Sequence, residues 1–224
     1  MTKHLLTSGL IAGVAAGLFA ALLQFVFVIP SLLEGELYET GARIHFATDG
    51  STESDRGAPA LSGDLMRHSL TVAFNVVTYT GYGLILAALM LFARSKGQLI
   101  TAKQGLIWGI AGFIAVQLAP AIGLPPELPG TPGAEVGIRQ TWWTLTILAT
   151  AAGLALIAFA KGPLPWLGAA LILIPHLVGA PHPEAYFGVA PPELSAHFTT
   201  LSLGTAAAGW AMLGFIAAYV LCRE

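Results

Sequence analysis

Five stretches of about twenty apolar residues, roughly 5–29, 69–93, 104–122, 141–160 and 198–221, limit what this 224-residue chain can become. A helix that crosses the ~30 Å hydrocarbon core of a bilayer needs about 20 mostly apolar residues, and each of these runs meets that length with few charges. A sixth run, 164–180, lies between Pro163/Pro165 and Pro181 and is interrupted by Pro175-His176. At 1.5 Å per residue it reaches only about 25 Å. The count is therefore six spans, or five if 164–180 is re-entrant. Composition agrees: 55% of residues are hydrophobic and 10% charged, whereas a water-coated domain carries about 25% charged residues. The expected fold is an all-α, multi-pass transmembrane helix bundle, a single membrane domain over 1–224 whose spans pair as three helical hairpins. The first run follows Lys3-His4 but is too long for the apolar region of a signal peptide, and no small-residue cleavage site follows it; it reads as a retained first span.

Six spans place Lys3, Arg94, Lys96, Lys103, Lys161 and Arg223 on the side of both termini, with one acid, Glu224. Basic residues in short loops mark the cytoplasm, so both termini are expected there. The other eleven acids, with Arg43, Arg56, Arg67 and Arg139, fall on the opposite face. That face is either an ordinary solvated exterior or an electronegative funnel that concentrates cations. The longest loop, 31–67, lies on it. Its first part, Leu32 to Phe46, is patterned for a short amphipathic surface helix, and its Gly/Ser/Asp/Pro-rich part, 48–62, is expected to be mobile.

Each outward-going helix ends in a proline followed by a glutamate: Pro30…Glu34, Pro120…Glu127 and Pro175…Glu184. PPEL occurs at 125–128 and again at 191–194, which suggests a weak repeat of helical hairpins, with chance as the alternative. A proline inside a helix frees the carbonyl four residues earlier, and at membrane depth that carbonyl needs a partner. Gly9, Gly13 and Gly17, and then Gly105 and Gly109, are four-residue glycine stripes of the kind that let helix backbones approach closely. Gln24 shares the first stripe's face and is expected to bond a neighbouring helix. His68, Asn75, Tyr79 and Tyr82 form one polar stripe on the second span, which must face the interior or a water path.

A net charge of −2 offers no basic field for nucleic acid. No Walker A, HExxH or GxSxG motif occurs, and no catalytic constellation supports an enzyme or a bound cofactor. The lone Cys222 makes neither a disulfide nor a thiolate cluster. Five of the six histidines lie on or near the acidic face. Imidazole and carboxylate together suit borderline divalent metals such as cobalt, nickel, zinc and iron. His176 beside Pro175 is the leading candidate ligand, its alternative being a hydrogen bond to a nearby carbonyl. His182 and Glu184, in Pro181-His182-Pro183-Glu184, either fold back to supply further ligands or form only a rigid turn. Glu127, in Pro125-Pro126-Glu127-Leu128-Pro129-Gly130, is held by a backbone with little entropy to lose, as a ligand or as a plain cap. His68 and His197 read as interfacial residues, and Trp142 and Trp143 as interfacial anchors. Arg139 is expected to pair with Glu127 or Glu135. Imidazole binds metal in its neutral form, so histidine-based capture should weaken below about pH 6.5.

Four segments, in order, carry a resemblance to a known family: AGVAAGLFAALLQ with IPSLLEGELYE (12–24 and 29–39), APAIGLPPELPG (119–130), RQTWW (139–143) and IPHLVGAPHPE (174–184). On these strings the chain resembles the CbtA family, described as cobalt transporter subunits. The resemblance implies cobalt uptake linked to cobalamin synthesis, in a bacterial inner membrane. It also implies a small single-span, histidine-bearing partner, CbtB, and leaves a homo-oligomer open. Glu34, Glu36, Glu127, His176, His182 and Glu184 fall within the matching strings and form the expected metal-ligand set. The alternative is an accessory or scaffolding subunit whose partner supplies the ligands.

Overall fold

A computed structural model describes residues 2–45, 56–61 and 64–223. Asp49, Glu53, Asp55 and most of the stretch 48–62 lie outside the described residues. Among the described residues all regular structure is helical: α1 (Thr2–Leu23), α2 (Ile29–Glu39), α3 (Leu65–Ser95), α4 (Ala102–Phe113), the single turn α5 (Ala119–Ala121), α6 (Val136–Phe159), α7 (Leu164–Val178) and α8 (Pro192–Arg223). Five helical stretches are long and apolar enough to cross a membrane: Lys3–Glu39, Leu65–Ser95, Ala102–Ala121, Val136–Phe159 and Pro192–Arg223. The run 164–180 gives the 15-residue helix α7, about 22 Å long at 1.5 Å per residue. The multi-pass helical bundle read from the sequence is thus the observed architecture.

Two π-helical turns, Gln24–Val28 and Ile114–Leu118, precede Pro30 and Pro120 at the same spacing. A proline has no N–H to donate, and its ring crowds the carbonyl four residues back. A wider turn just before it moves the hydrogen-bond register away from that position, so the helix continues. This is why α2 extends the first helix to Glu39, where the sequence suggested a loop from residue 31 with a separate surface helix. Pro175 receives no π turn, and α7 runs through it to Val178.

The chain forms two compact units. One comprises Met1–Phe25, Gly63–Phe113 and Gly204–Glu224; the other comprises Val26–Ser62 and Ile114–Leu203. In the first unit, α1 lies antiparallel on α3. A Cβ on Gly9 would sit 2.7 Å from Leu84, one on Gly17 would sit 2.6 Å from the Val76 backbone, and one on Gly13 would strike Thr80. Helix α4 begins at a reciprocal cap: Thr101 Oγ1 accepts from the Gln104 amide (3.2 Å) and Gln104 Oε1 accepts from the Thr101 amide (2.9 Å), satisfying two otherwise orphaned donors. Gly105 and Gly109 then pack directly on the α8 backbone at Gly214 and Trp210. The polar stripe of α3 is used inside this unit. Asn75 and Gln24 exchange amide hydrogen bonds (3.0 and 3.2 Å), Tyr82 stacks on Trp210 at 4.6 Å, and His68 meets Phe25 edge-on at 5.4 Å.

In the second unit, α6 and α7 form a tight hairpin. Gly153 and Gly168 face each other so closely that a Cβ on Gly153 would sit 2.5 Å from the Gly168 carbonyl oxygen. The buried stripe of α6 is Trp142, Thr146, Thr150 and Gly153, recurring at helical spacing. A small apolar core of Tyr38, Leu128, Ala190 and Phe198 joins α2, the 123–134 loop and the start of α8.

Candidate functional site

Helix α2 ends where Gly41 takes φ +74°, a left-handed value that glycine adopts without steric cost. The Thr40 amide donates to Glu36 O (3.0 Å), Gly41 to Tyr38 O (3.2 Å) and Arg43 to Leu37 O (2.9 Å), a glycine-type C-terminal cap. The reversal carries Arg43 back along the helix, and its Nη1 donates to Glu34 Oε1 at 3.2 Å. The Gly57 amide donates to the same oxygen at 3.0 Å.

The 123–134 loop is built with the same economy. The Leu124 amide donates to Pro120 O (2.8 Å), and the Thr131 amide closes a turn onto Leu128 O (3.3 Å). That turn has Pro129 at its second position and Gly130, φ +79°, at its third, the residue pattern of a type II turn. Leu128, 2% exposed, plugs the apolar core, and burying such a side chain contributes roughly 1.5–3 kcal/mol. Thr199 Oγ1 on α8 donates to Pro126 O at 2.8 Å. Glu127, between these anchors, is therefore held in place with its carboxylate facing outward.

Helix α6 starts one turn before Arg139. Glu135 caps it, accepting from the Gly137 and Ile138 amides at 2.8 and 3.0 Å. Arg139 is left for Glu127, to which its Nη2 donates at 3.0 Å. Of the two partners open in the sequence, the structure selects Glu127, because the helix N-terminus has already engaged Glu135. The amide donors of Gly137 and, next, Ile138 hold the Glu135 carboxyl below its ordinary range. A carboxyl depressed in the folded state adds stability that is complete above the unfolded-state pKa, about 4.3, and is lost as pH falls through the folded one. We expect hydrogen exchange at the Gly137 and Ile138 amides, relative to intrinsic rates, to accelerate as pH falls below the ordinary carboxylate range. In Glu135→Gln this pH dependence should vanish; its persistence there would refute the assignment.

The chain between α7 and α8 comes back across this loop. Glu127, Arg139 and His182 line a cleft of about 240 Å³ together with Gly123, Tyr186 and Phe187. Two of the sequence-selected ligands, one carboxylate and one imidazole, thus line one cleft. The others are placed elsewhere. Glu34 and the half-buried Glu36 lie on α2, where Gly35 faces Leu128 at 2.8 Å from its would-be Cβ. Glu184 is exposed in the loop after His182. His176 lies in the last turn of α7, outside the cleft lining, with Nε2 buried and without a hydrogen-bond partner. Among the described residues no three His, Cys, Asp or Glu side chains are grouped to hold a metal ion.

Trp142 was expected at the interface as an anchor, and the structure corrects this. It is 8% exposed, and its indole Nε1 donates to Pro175 O at 3.1 Å, the carbonyl neighbourhood that the sequence offered to His176. The His176 ring instead meets Trp142 edge-on at 6.1 Å. Trp143 is 40% exposed, as an anchor would be. Arg43, Tyr186 and Phe187 are site residues that sequence reasoning did not single out. For Arg43 the available signal was Gly41 directly after a helix with Glu34 on it.

No curated protein and no solved structure matches this chain. A family model described as "Probable cobalt transporter subunit (CbtA)" matches residues 2–221. That match covers nearly the whole chain, from the start of α1 into the last turn of α8 and with both loops of the cleft, and so the chain belongs to the CbtA family of cobalt transporter subunits.

Proposed function

We propose that this chain captures a divalent cation, cobalt, on the outer face of a bacterial inner membrane and passes it inward for cobalamin synthesis. The observation that supports this reading is the cleft that Glu127 and His182 line from two proline-stiffened loops. Rigid placement of one carboxylate and one imidazole suits a borderline divalent ion, and a site of few protein ligands binds weakly enough to release. Glu184 follows on the same loop as His182. Glu34 and Glu36, on α2, would add negative charge that draws cations to the same face. The buried Nε2 of His176 would take the ion next, since a buried polar atom needs a partner. In this reading both termini are cytoplasmic, the protein acts as a transporter subunit and not as an enzyme, and a small single-span histidine-bearing subunit works beside it.

A second reading is favoured by one observation: no three candidate ligands are grouped among the described residues. The chain would then be an accessory subunit, and the partner would complete the coordination shell. Labelled-cobalt uptake by cells expressing the chain with and without that partner separates the two. Under the capture reading, Glu127→Gln and His182→Ala each lower uptake on the order of tenfold, the effect of about 1.4 kcal/mol of lost binding. Uptake that survives both changes together removes this cleft as the capture site.

A further inference from the structure

The two outer carboxylates that follow the π-turn helices share an arrangement that cation capture alone does not require. Glu34 follows Pro30 and bonds Arg43 at 3.2 Å; Glu127 follows Pro120 and bonds Arg139 at 3.0 Å. In each case the same fold features that position the acid also position the base. The Gly41 reversal brings Arg43 back over α2. Gly133 lies directly against the Arg139 guanidinium and leaves it room beside the loop. A surface acid would otherwise be left to solvent; these two are each closed by a tethered cation.

We propose that Arg139 and Arg43 are built-in competitors for the capture carboxylates, so that an incoming cation must displace a guanidinium before it is bound. This rests on the capture reading above. Both pairs are partly exposed, with side-chain exposures of 30% and 30% for Arg139 and Glu127, and 22% and 16% for Arg43 and Glu34. An exposed pair of this kind shifts an equilibrium by only a few-fold, so displacement is accessible. The more exposed Glu127 opens first. The guanidinium also discriminates among cations. It is delivered at high effective concentration by its own short tether, and a weakly bound singly charged ion gains too little from one carboxylate to replace it. A divalent ion that gains His182 as well can replace it. The closed pair lowers apparent affinity by the fraction of time it is closed and so favours release as well as selectivity.

The test is calorimetric titration of Co²⁺ into the purified full chain in lipid nanodiscs. Arg139→Gln should tighten Co²⁺ binding about three- to tenfold, and Arg43→Gln should tighten it in the same direction. The gain should disappear in the double variant Arg139→Gln/Glu127→Gln. Thermal unfolding checks that each variant is folded; should Arg139→Gln not fold, Arg43→Gln carries the test. Unchanged or weaker Co²⁺ binding in a folded Arg→Gln variant overturns the inference. If Glu127→Gln weakens binding but neither arginine variant tightens it, this inference fails and the capture reading stands. If the wild-type chain shows no saturable Co²⁺ binding, both fail.

Discussion

Gly109→Leu is expected to leave almost no folded protein, while Gly81→Ala and Gly204→Ala leave the fold intact. All three glycines are helical, and they differ only in what faces them. A Cβ at Gly109 would collide with the Trp210 carbonyl and sit 3.2 Å from the Gly214 Cα. Reciprocally, a Cβ at Gly214 would sit 2.5 Å from the Gly109 nitrogen. Backbone faces backbone on both helices, so no flexible side chain can give way and α4 and α8 must part. Overpacking costs about 1–3 kcal/mol when a core can adjust. Here the whole seam opens and Trp210 is drawn off its stack on Tyr82, so the loss should exceed that range. A total stability of about 5–15 kcal/mol leaves little margin for such a change. Nothing lies within 4 Å of a Cβ at Gly81 or Gly204. Alanine there should be neutral or slightly stabilising, since glycine is about 1 kcal/mol worse than alanine inside a helix. Monodispersity and thermal unfolding in detergent distinguish these outcomes. A Gly109→Leu protein that purifies and melts like wild type would show that the α4–α8 backbone contact does not hold the unit together.

The same seam shows what the sequence made legible. Gly9, Gly13, Gly17, Gly105 and Gly109 were readable because close helix contact demands small residues at a fixed period. Gln24 was readable because an amide in lipid must find a partner. The π turns were not. Pro30 and Pro120 announce a disturbance, but whether a helix bends, breaks or widens depends on packing that hydropathy does not encode. Pro175, in a similar context, is simply accommodated within α7. The candidate ligands were partly legible. Proline-set loops marked Glu127 and His182 as candidates, and both line one cleft. That His176 does not line this cleft was not legible, because it depends on α7 carrying His176 inside a helical turn that ends at Val178. Arg139's choice of Glu127 was also hidden: it follows from Glu135 serving as the α6 cap, and a Glu at an N-terminus can do either.

Trp142→Ala should then destabilise the second unit by about 3–5 kcal/mol, the usual cost of emptying a buried aromatic site, and abolish cobalt uptake. The side chain does three things at one place. Its indole donates to Pro175 O at 3.1 Å, tying α6 to α7 at the proline. Its Cη2 packs against Gly123, 2.8 Å from that residue's would-be Cβ, at the foot of the loop that carries Glu127. Its ring meets His176 at 6.1 Å in a T-shaped contact. Glu127 and His182 sit on opposite loops of the cleft, and Trp142 packs where those loops leave α5 and α7. Emptying the site therefore frees each loop to move relative to the other, and among the described residues no third candidate ligand is grouped with Glu127 and His182 to restore the spacing. Trp142→Phe separates the contributions. It keeps most of the volume but loses one hydrogen bond, worth about 0.5–1.5 kcal/mol, so the fold should persist with a modestly lower unfolding temperature and reduced uptake. Thermal unfolding of the purified variants, read beside labelled-cobalt uptake, checks both. If Trp142→Ala melts like wild type, the indole is not the pin between α6 and α7. If it melts early but uptake is unchanged in cells at a permissive temperature, the spacing of Glu127 and His182 does not limit capture.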